Sequence, residues 1–177
     1  MNRVGQKERA TQNRVKGLFR NLGYSYLGNW EERDDNSNIE EGALRRWLKG
    51  QGKYDDALIE KALYELKKVA GDQTRSLYDI NMAVYGLLRY GVQVKAEVSE
   101  QTQTVQLIDW QNPLNNDFGI AEEVTIKGKK TKRPDIVLYV NGIALGVLEL
   151  KRSIVSVADE NQMGNLQHQS RPHLAQP

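Results

Sequence analysis

The sequence predicts a mixed α/β fold, with N-terminal helices packed on a mixed β-sheet. Three observations carry this. Apolar residues recur at helical spacing through roughly the first ninety positions. The period then changes to alternation and short apolar runs between turn residues. Finally, 177 residues are enough for one domain with a real core, and helices followed by strands fit α+β or mixed α/β layering. The expected organisation is a single domain over 1–177: mainly helical to 91, mainly sheet over 92–152, and a polar tail over 153–177.

The first helix is basic and amphipathic. Val15, Leu18, Phe19 and Leu22 fall at helical spacing, and Gly23 can close it. "SYLGNWEERDDNSN" reads as a polar, acidic loop. Asn38 with Glu41 three residues on resembles a capping box for a short helix that Gly50 and Gly52 end. The next helix runs from about Asp56 to Ala70, with Gly71 as its stop. Ser76 with Asp79 caps a further helix that Gly91 ends. Five strand-like segments follow: "VQVKAEVS", "TQTVQLIDW", "GIAEEVTIKG", "PDIVLYVN" and "IALGVLELKR".

Composition narrows the chemistry. Lys+Arg 25 against Asp+Glu 23 gives a net charge of only +2, so nucleic-acid binding has to be argued from local clusters. There is no cysteine, which excludes disulfides and thiolate metal sites and makes a reducing cytoplasm the natural setting. The two histidines, His168 and His173, lie in the tail, which argues against histidine chemistry in the main body. No stretch is apolar enough to span a membrane.

The chemistry-bearing stretch is "RPDIVLYVNGIALGVLELKR", Arg133 to Arg152. It is an apolar hairpin turning at Asn141-Gly142, yet it carries Asp135, Glu149 and Lys151. An unpaired charge on a strand that prefers burial costs several kcal/mol, on the order of an uncompensated ion. Two carboxylates cannot neutralise each other, whereas a divalent cation between them can, and carboxylate oxygens suit Mg²⁺. Side chains alternate along a strand, so Glu149 and Lys151 share a face and Lys151 sits beside the cation. There it can orient or deprotonate a water, or stabilise charge on a phosphate. The main-chain carbonyl of Leu150 is a further candidate ligand.

Register sharpens the expectation. A two-residue turn pairs Val140 with Ile143 and hence Asp135 with Leu148, which faces the two acids to opposite sides. They converge only through an odd connection or a bulge, so one of these is predicted. A second "ELK", at Glu65-Leu66-Lys67, is an internal control. On a helix its two charges lie about 200° apart, at about 100° per residue, and it reads as solvated surface.

Lys127, Lys129, Lys130, Lys132 and Arg133 crowd into the segment before Pro134, where a phosphate would want them; a solvent-exposed turn is the bland alternative. The basic residues of the first helix are read mainly as its wet face, and the three tryptophans mainly as core or half-buried packing.

Pro-Asp, thirteen residues, then Glu-x-Lys resembles the PD-(D/E)xK nuclease superfamily. Together with "TQNRVKGLFRNLGYSYLGNW" and "NSNIEEGALRRWL", it looks like the N-terminal nuclease domain of the restriction (R) subunit of type I restriction–modification enzymes, over about residues 8–162. That resemblance implies a restriction-endonuclease-like core and Mg²⁺-dependent hydrolysis of double-stranded DNA (Mn²⁺ able to substitute). The fragment would read no sequence itself, and separate modification and specificity subunits would be its partners. It also implies that Asp135 and Glu149 are metal ligands and Lys151 the catalytic lysine. Gln162 matches the glutamine of the family's Gln-x-x-x-Tyr element, although Leu166 stands where the tyrosine belongs. The family's ATP-driven translocase is expected beyond this chain, which has no phosphate-loop motif of its own and should not bind ATP in that manner. Other readings are an inert DNA-binding or assembly module with the same fold, or a repair or recombination nuclease of the same superfamily. An acidic ligand from an early helix is a further possibility, with Glu40, Glu41 and Glu60 as candidates that no spacing separates.

Overall fold

The computed structural model describes residues 3–97, 101–126 and 131–150. Four helices are present: α1 (Arg3–Asn21), α2 (Glu41–Gly50), α3 (Asp56–Ala70) and α4 (Leu77–Tyr90). The strands are β1 (Ser25–Asn29), β2 (Val92–Val94), β3 (Gln103–Val105), β4 (Phe118–Glu122), β5 (Ile136–Val140) and β6 (Ile143–Leu148). The main sheet has the order β1-β4-β5-β6, with β1 parallel to β4 and the other neighbours antiparallel. The fold is therefore mixed α/β, as the sequence predicts. The β2–β3 pair forms a separate two-stranded sheet instead of extending the main one.

The helical layer follows its sequence signals closely. The Asp55 side chain accepts from the Leu58 N–H and starts α3; Leu58, Ile59, Ala62, Leu63 and Leu66 line its buried face. Ser76 accepts from the Asp79 N–H and caps α4, as predicted. With Leu44 and Leu48 of α2 and the β2–β3 pair, these residues make the larger core, which Ile143 of β6 joins. A smaller core on the main sheet comprises Trp30, Ala121, Val124, Val137 and Tyr139.

Two local expectations are overturned. Ser25–Asn29, read as loop, is the edge strand β1; its residues are mostly exposed, which hides the strand pattern. Asn38 does not cap α2. The residue before α2 is Glu40, with no side-chain cap bond, because residues 38–40 run extended along the hairpin: the Asn38 carbonyl accepts from Ala144 N–H, and Glu40 N–H donates to the Gly142 carbonyl. On α1, Val15 and Phe19 are half-buried whereas Leu18 and Leu22 are exposed. The helix meets the sheet through polar groups: Gln12 is buried, and Lys16 reaches Glu122.

Candidate active site

The β5–β6 hairpin turns through Asn141 and Gly142, both with positive φ (51° and 84°), the conformation an Asn-Gly turn favours. Val140 pairs with Ile143 and Tyr139 with Ala144. The register then shifts, so that Leu138 pairs with Gly146, Val137 with Val147 and Ile136 with Leu148. Leu145 is the extra residue of a β-bulge, of the kind the two acids require. Gly146 permits the bulge locally, because a Cβ there would stand 3.3 Å from the Leu138 side chain. Continuing the shifted register one step sets Asp135 opposite Glu149, with both side chains on the face that carries Val137 and Val147.

Asp135 is half-buried and Glu149 exposed, just outside the ends of β5 and β6. Asp135 Oδ2 accepts the Leu150 N–H at 2.5 Å, which ties the two strand ends together and orients that carboxylate. Glu149 has no ion pair or hydrogen bond among the described residues. Two carboxylates, one held and one free, beside the main chain of Leu150 form a donor set suited to a hard, partly hydrated divalent ion. It is a sparse set: among the described residues no three His, Cys, Asp or Glu side chains are grouped to hold a metal.

Lys151 and Gln162 lie outside the described residues, as do Lys127, Lys129 and Lys130 of the basic segment. Lys132 is exposed and bridges backbone-to-backbone with Ile126. Arg133 pairs with Glu31 and, through Nε at 3.2 Å, with Glu123. The early-helix acids are engaged elsewhere. Glu40 forms a two-pronged pair with Arg33, Glu41 pairs with Lys67 at 2.7 Å, and Glu60 forms a two-pronged pair with Arg45.

Sequence reasoning missed the acids that do stand by the hairpin. Glu122 is buried on β4; Lys16 Nζ lies 2.7 Å from one oxygen and the Tyr26 hydroxyl donates to the other at 2.7 Å. Burial alone would raise the Glu122 carboxyl, but these two contacts outweigh it and hold it below the ordinary value. Burial and the bond to Glu122 push Tyr26 up to about 12. Its neighbour Glu123 accepts from Gln12 Nε2 of α1 at 2.8 Å. The signal was available: Glu122-Glu123 inside the apolar "GIAEEVTI" is the same anomaly as the acids of the hairpin.

The model of the type I restriction enzyme R protein N terminus matches residues 5–176. The chain belongs to this family. The HindI type I restriction enzyme endonuclease subunit of Haemophilus influenzae is 35% identical over 89 residues, covering 48% of this chain and 8% of that protein. The protein named for the MjaVIIIP type I restriction enzyme endonuclease subunit of Methanocaldococcus jannaschii is 27% identical over 159 residues, covering 86% of this chain and 15% of that protein. This R-subunit N-terminal chain thus matches 15% or less of the length of either relative. Among its described residues, no helix is long and apolar enough to cross a membrane.

Proposed function

We propose that this R-subunit N-terminal domain is a Mg²⁺-dependent endonuclease module with a restriction-endonuclease-like core, hydrolysing phosphodiester bonds of double-stranded DNA without reading sequence itself. The observation that carries the reading is the bulge at Leu145; its register, continued one step past the Ile136–Leu148 pair, sets Asp135 opposite Glu149 despite a two-residue turn. Membership of a family whose relatives are named as endonuclease subunits supports it. Asp135, Glu149 and the Leu150 carbonyl would hold the ion. Bound there, Mg²⁺ supplies positive charge opposite a scissile phosphate. Asp135, fixed by the Leu150 N–H, keeps its carboxylate in one orientation. The Lys151 ammonium orients the attacking water or stabilises phosphate charge, and Gln162 is assigned to the same centre. Lys127, Lys129, Lys130 and Lys132 draw the DNA backbone to the hairpin, with Arg133 at the end of that run. Modification and specificity subunits would supply site recognition, and ATP would act only on a motor outside this chain.

The test is cleavage of supercoiled plasmid in Mg²⁺, by this chain and by its complex with modification and specificity subunits and ATP. Asp135→Ala, Glu149→Ala and Lys151→Ala should each lower the rate by about 100-fold or more, with the melting temperature preserved. DNA binding that survives all three changes, with no cleavage by the parent chain in Mg²⁺ or Mn²⁺ in either setting, would instead identify an inert assembly module.

A further inference from the structure

Glu123 is the residue next to the candidate site that the reading above leaves without a role. Its backbone is strained, with φ 52° on a non-glycine residue. That conformation is over-determined by contacts on every side. The Glu123 N–H donates to the Asp135 carbonyl at 3.0 Å, one register step beyond the Glu122–Ile136 pair. Oε1 accepts from the buried Gln12 of α1, and Oε2 faces Arg133 Nε at 3.2 Å. Arg133 is held from its other side by Glu31, which follows β1. Helix α1, the segment after β1 and the Arg133-Pro134-Asp135 lead-in are therefore all fastened to the Glu123–Arg133 pair, α1 through Glu123 and the segment after β1 through Arg133.

We propose that Glu123 and Arg133 are positioning residues for the metal site: their ion pair fixes the lead-in to β5 and so the aim of the Asp135 carboxylate. This inference rests on the metal-site reading above. It assigns Arg133 to the protein's own scaffold in place of the DNA backbone. Asp135 is clamped on its main chain by Glu123 and on its side chain by Leu150, whereas Glu149 has no partner among the described residues. One ligand is thus prearranged and the other adapts.

A simple charge effect predicts something different, which makes the idea testable. Removing the positive charge of Arg133 beside a cation site should, by Coulomb's law alone, tighten metal binding. Loss of a clamp should weaken it, by about tenfold for a supporting residue. The experiment is Mn²⁺ titration of the full chain, followed by the electron paramagnetic resonance signal of free Mn²⁺, with melting temperatures recorded in parallel. Arg133→Gln and Glu123→Gln should each raise the Mn²⁺ dissociation constant by about tenfold. The double variant should be no worse than either single one, because both break the same pair. Tighter or unchanged Mn²⁺ binding in Arg133→Gln overturns the proposal, and so does an additive double variant. Should Glu123→Gln fail to fold, Arg133→Gln alone decides, since its side chain is half exposed. The two levels separate cleanly. If the parent chain binds no Mn²⁺, the metal-site reading fails and takes this one with it. If Asp135→Ala abolishes binding while Arg133→Gln does not weaken it, only the positioning role fails.

Discussion

Glu122 is a carboxylate with 4% of its surface exposed, and it stays ionised because Lys16 and Tyr26 both reach it. Its pKa is below the ordinary 4.5 in the folded state, so its contribution to stability is complete above that value and lost as pH falls through the folded value. Tyr26 has the opposite limit. Its folded pKa is raised from 10.0 to about 12, so its contribution is present below 10 and disappears as pH rises toward 12. Stability against urea should therefore be flat between these limits and fall on both sides. Lys16→Met removes the ammonium and leaves a buried, uncompensated charge. It should destabilise the chain at pH 7 by about 2–3 kcal/mol, less than a fully buried pair because Lys16 is partly exposed. It should also blunt the acid limb, because protonating Glu122 now relieves the defect. An unchanged acid limb in urea titrations at pH 7 and pH 3 would mean the pair does not govern acid stability. The same logic explains why α1 meets the sheet through Gln12 and Lys16 while Leu18 and Leu22 stay exposed. The helix is attached by polar contacts as much as by apolar burial.

At the scale of elements, the hairpin's chemistry depends on one surplus residue. Deleting Leu145, itself about half exposed, would restore a regular β6 and leave Asp135 opposite Glu149, each then six residues from the Asn141-Gly142 turn. The expected result is a folded chain by circular dichroism that keeps Mn²⁺ binding and plasmid cleavage; lost binding would show that the bend of the bulge, and not only the register it sets, is needed for the pair. The need for such a bulge was legible in the sequence, because the Asn141-Gly142 turn fixes the parity of the hairpin. Its position was not, since it depends on Gly146 making room beside Leu138 across the ladder. The helices α3 and α4 were legible because Asp55, Ser76, Gly71 and Gly91 act within a turn of the helix ends they set. Strand β1 was not, for its pairing partner β4 lies about ninety residues away and supplies what its own exposed residues cannot signal. Glu122 and Glu123 are marked in the sequence by their apolar surroundings, but their partners are not: Lys16 and Gln12, which explain them, are more than a hundred residues distant in the chain. The Asn38 cap failed because a local signal was overridden, its carbonyl being taken by the hairpin.

At the scale of the molecule, the hairpin joins the two cores, and Asn141 is the joint. Its side chain, wholly buried, donates to the Leu107 carbonyl at 2.9 Å and to Asn116 Oδ1 at 2.8 Å, and accepts from the Asp117 N–H at 2.8 Å. Leu107 belongs to the helical core, whereas β5 carries the core of the main sheet. Gly142 beside it lies tight against α2, where a Cβ would stand 2.7 Å from the Glu40 carbonyl. The turn end of the hairpin thus anchors the sheet to the helices, while the other end, about 20 Å away along six residue steps, presents the acids. Asn141→Ala would remove three hydrogen bonds, one of them to the carbonyl of the fully buried Leu107, and keep a non-glycine residue at positive φ. About 3–5 kcal/mol should be lost in urea unfolding. If anchoring and metal binding are carried by separate ends, Mn²⁺ affinity measured where Asn141→Ala is still folded should change by less than about twofold, well below the tenfold effect of a supporting residue. A tenfold loss there would mean instead that the fit of the sheet on the helices, and not only the clamp at Asp135, sets the geometry of the two carboxylates.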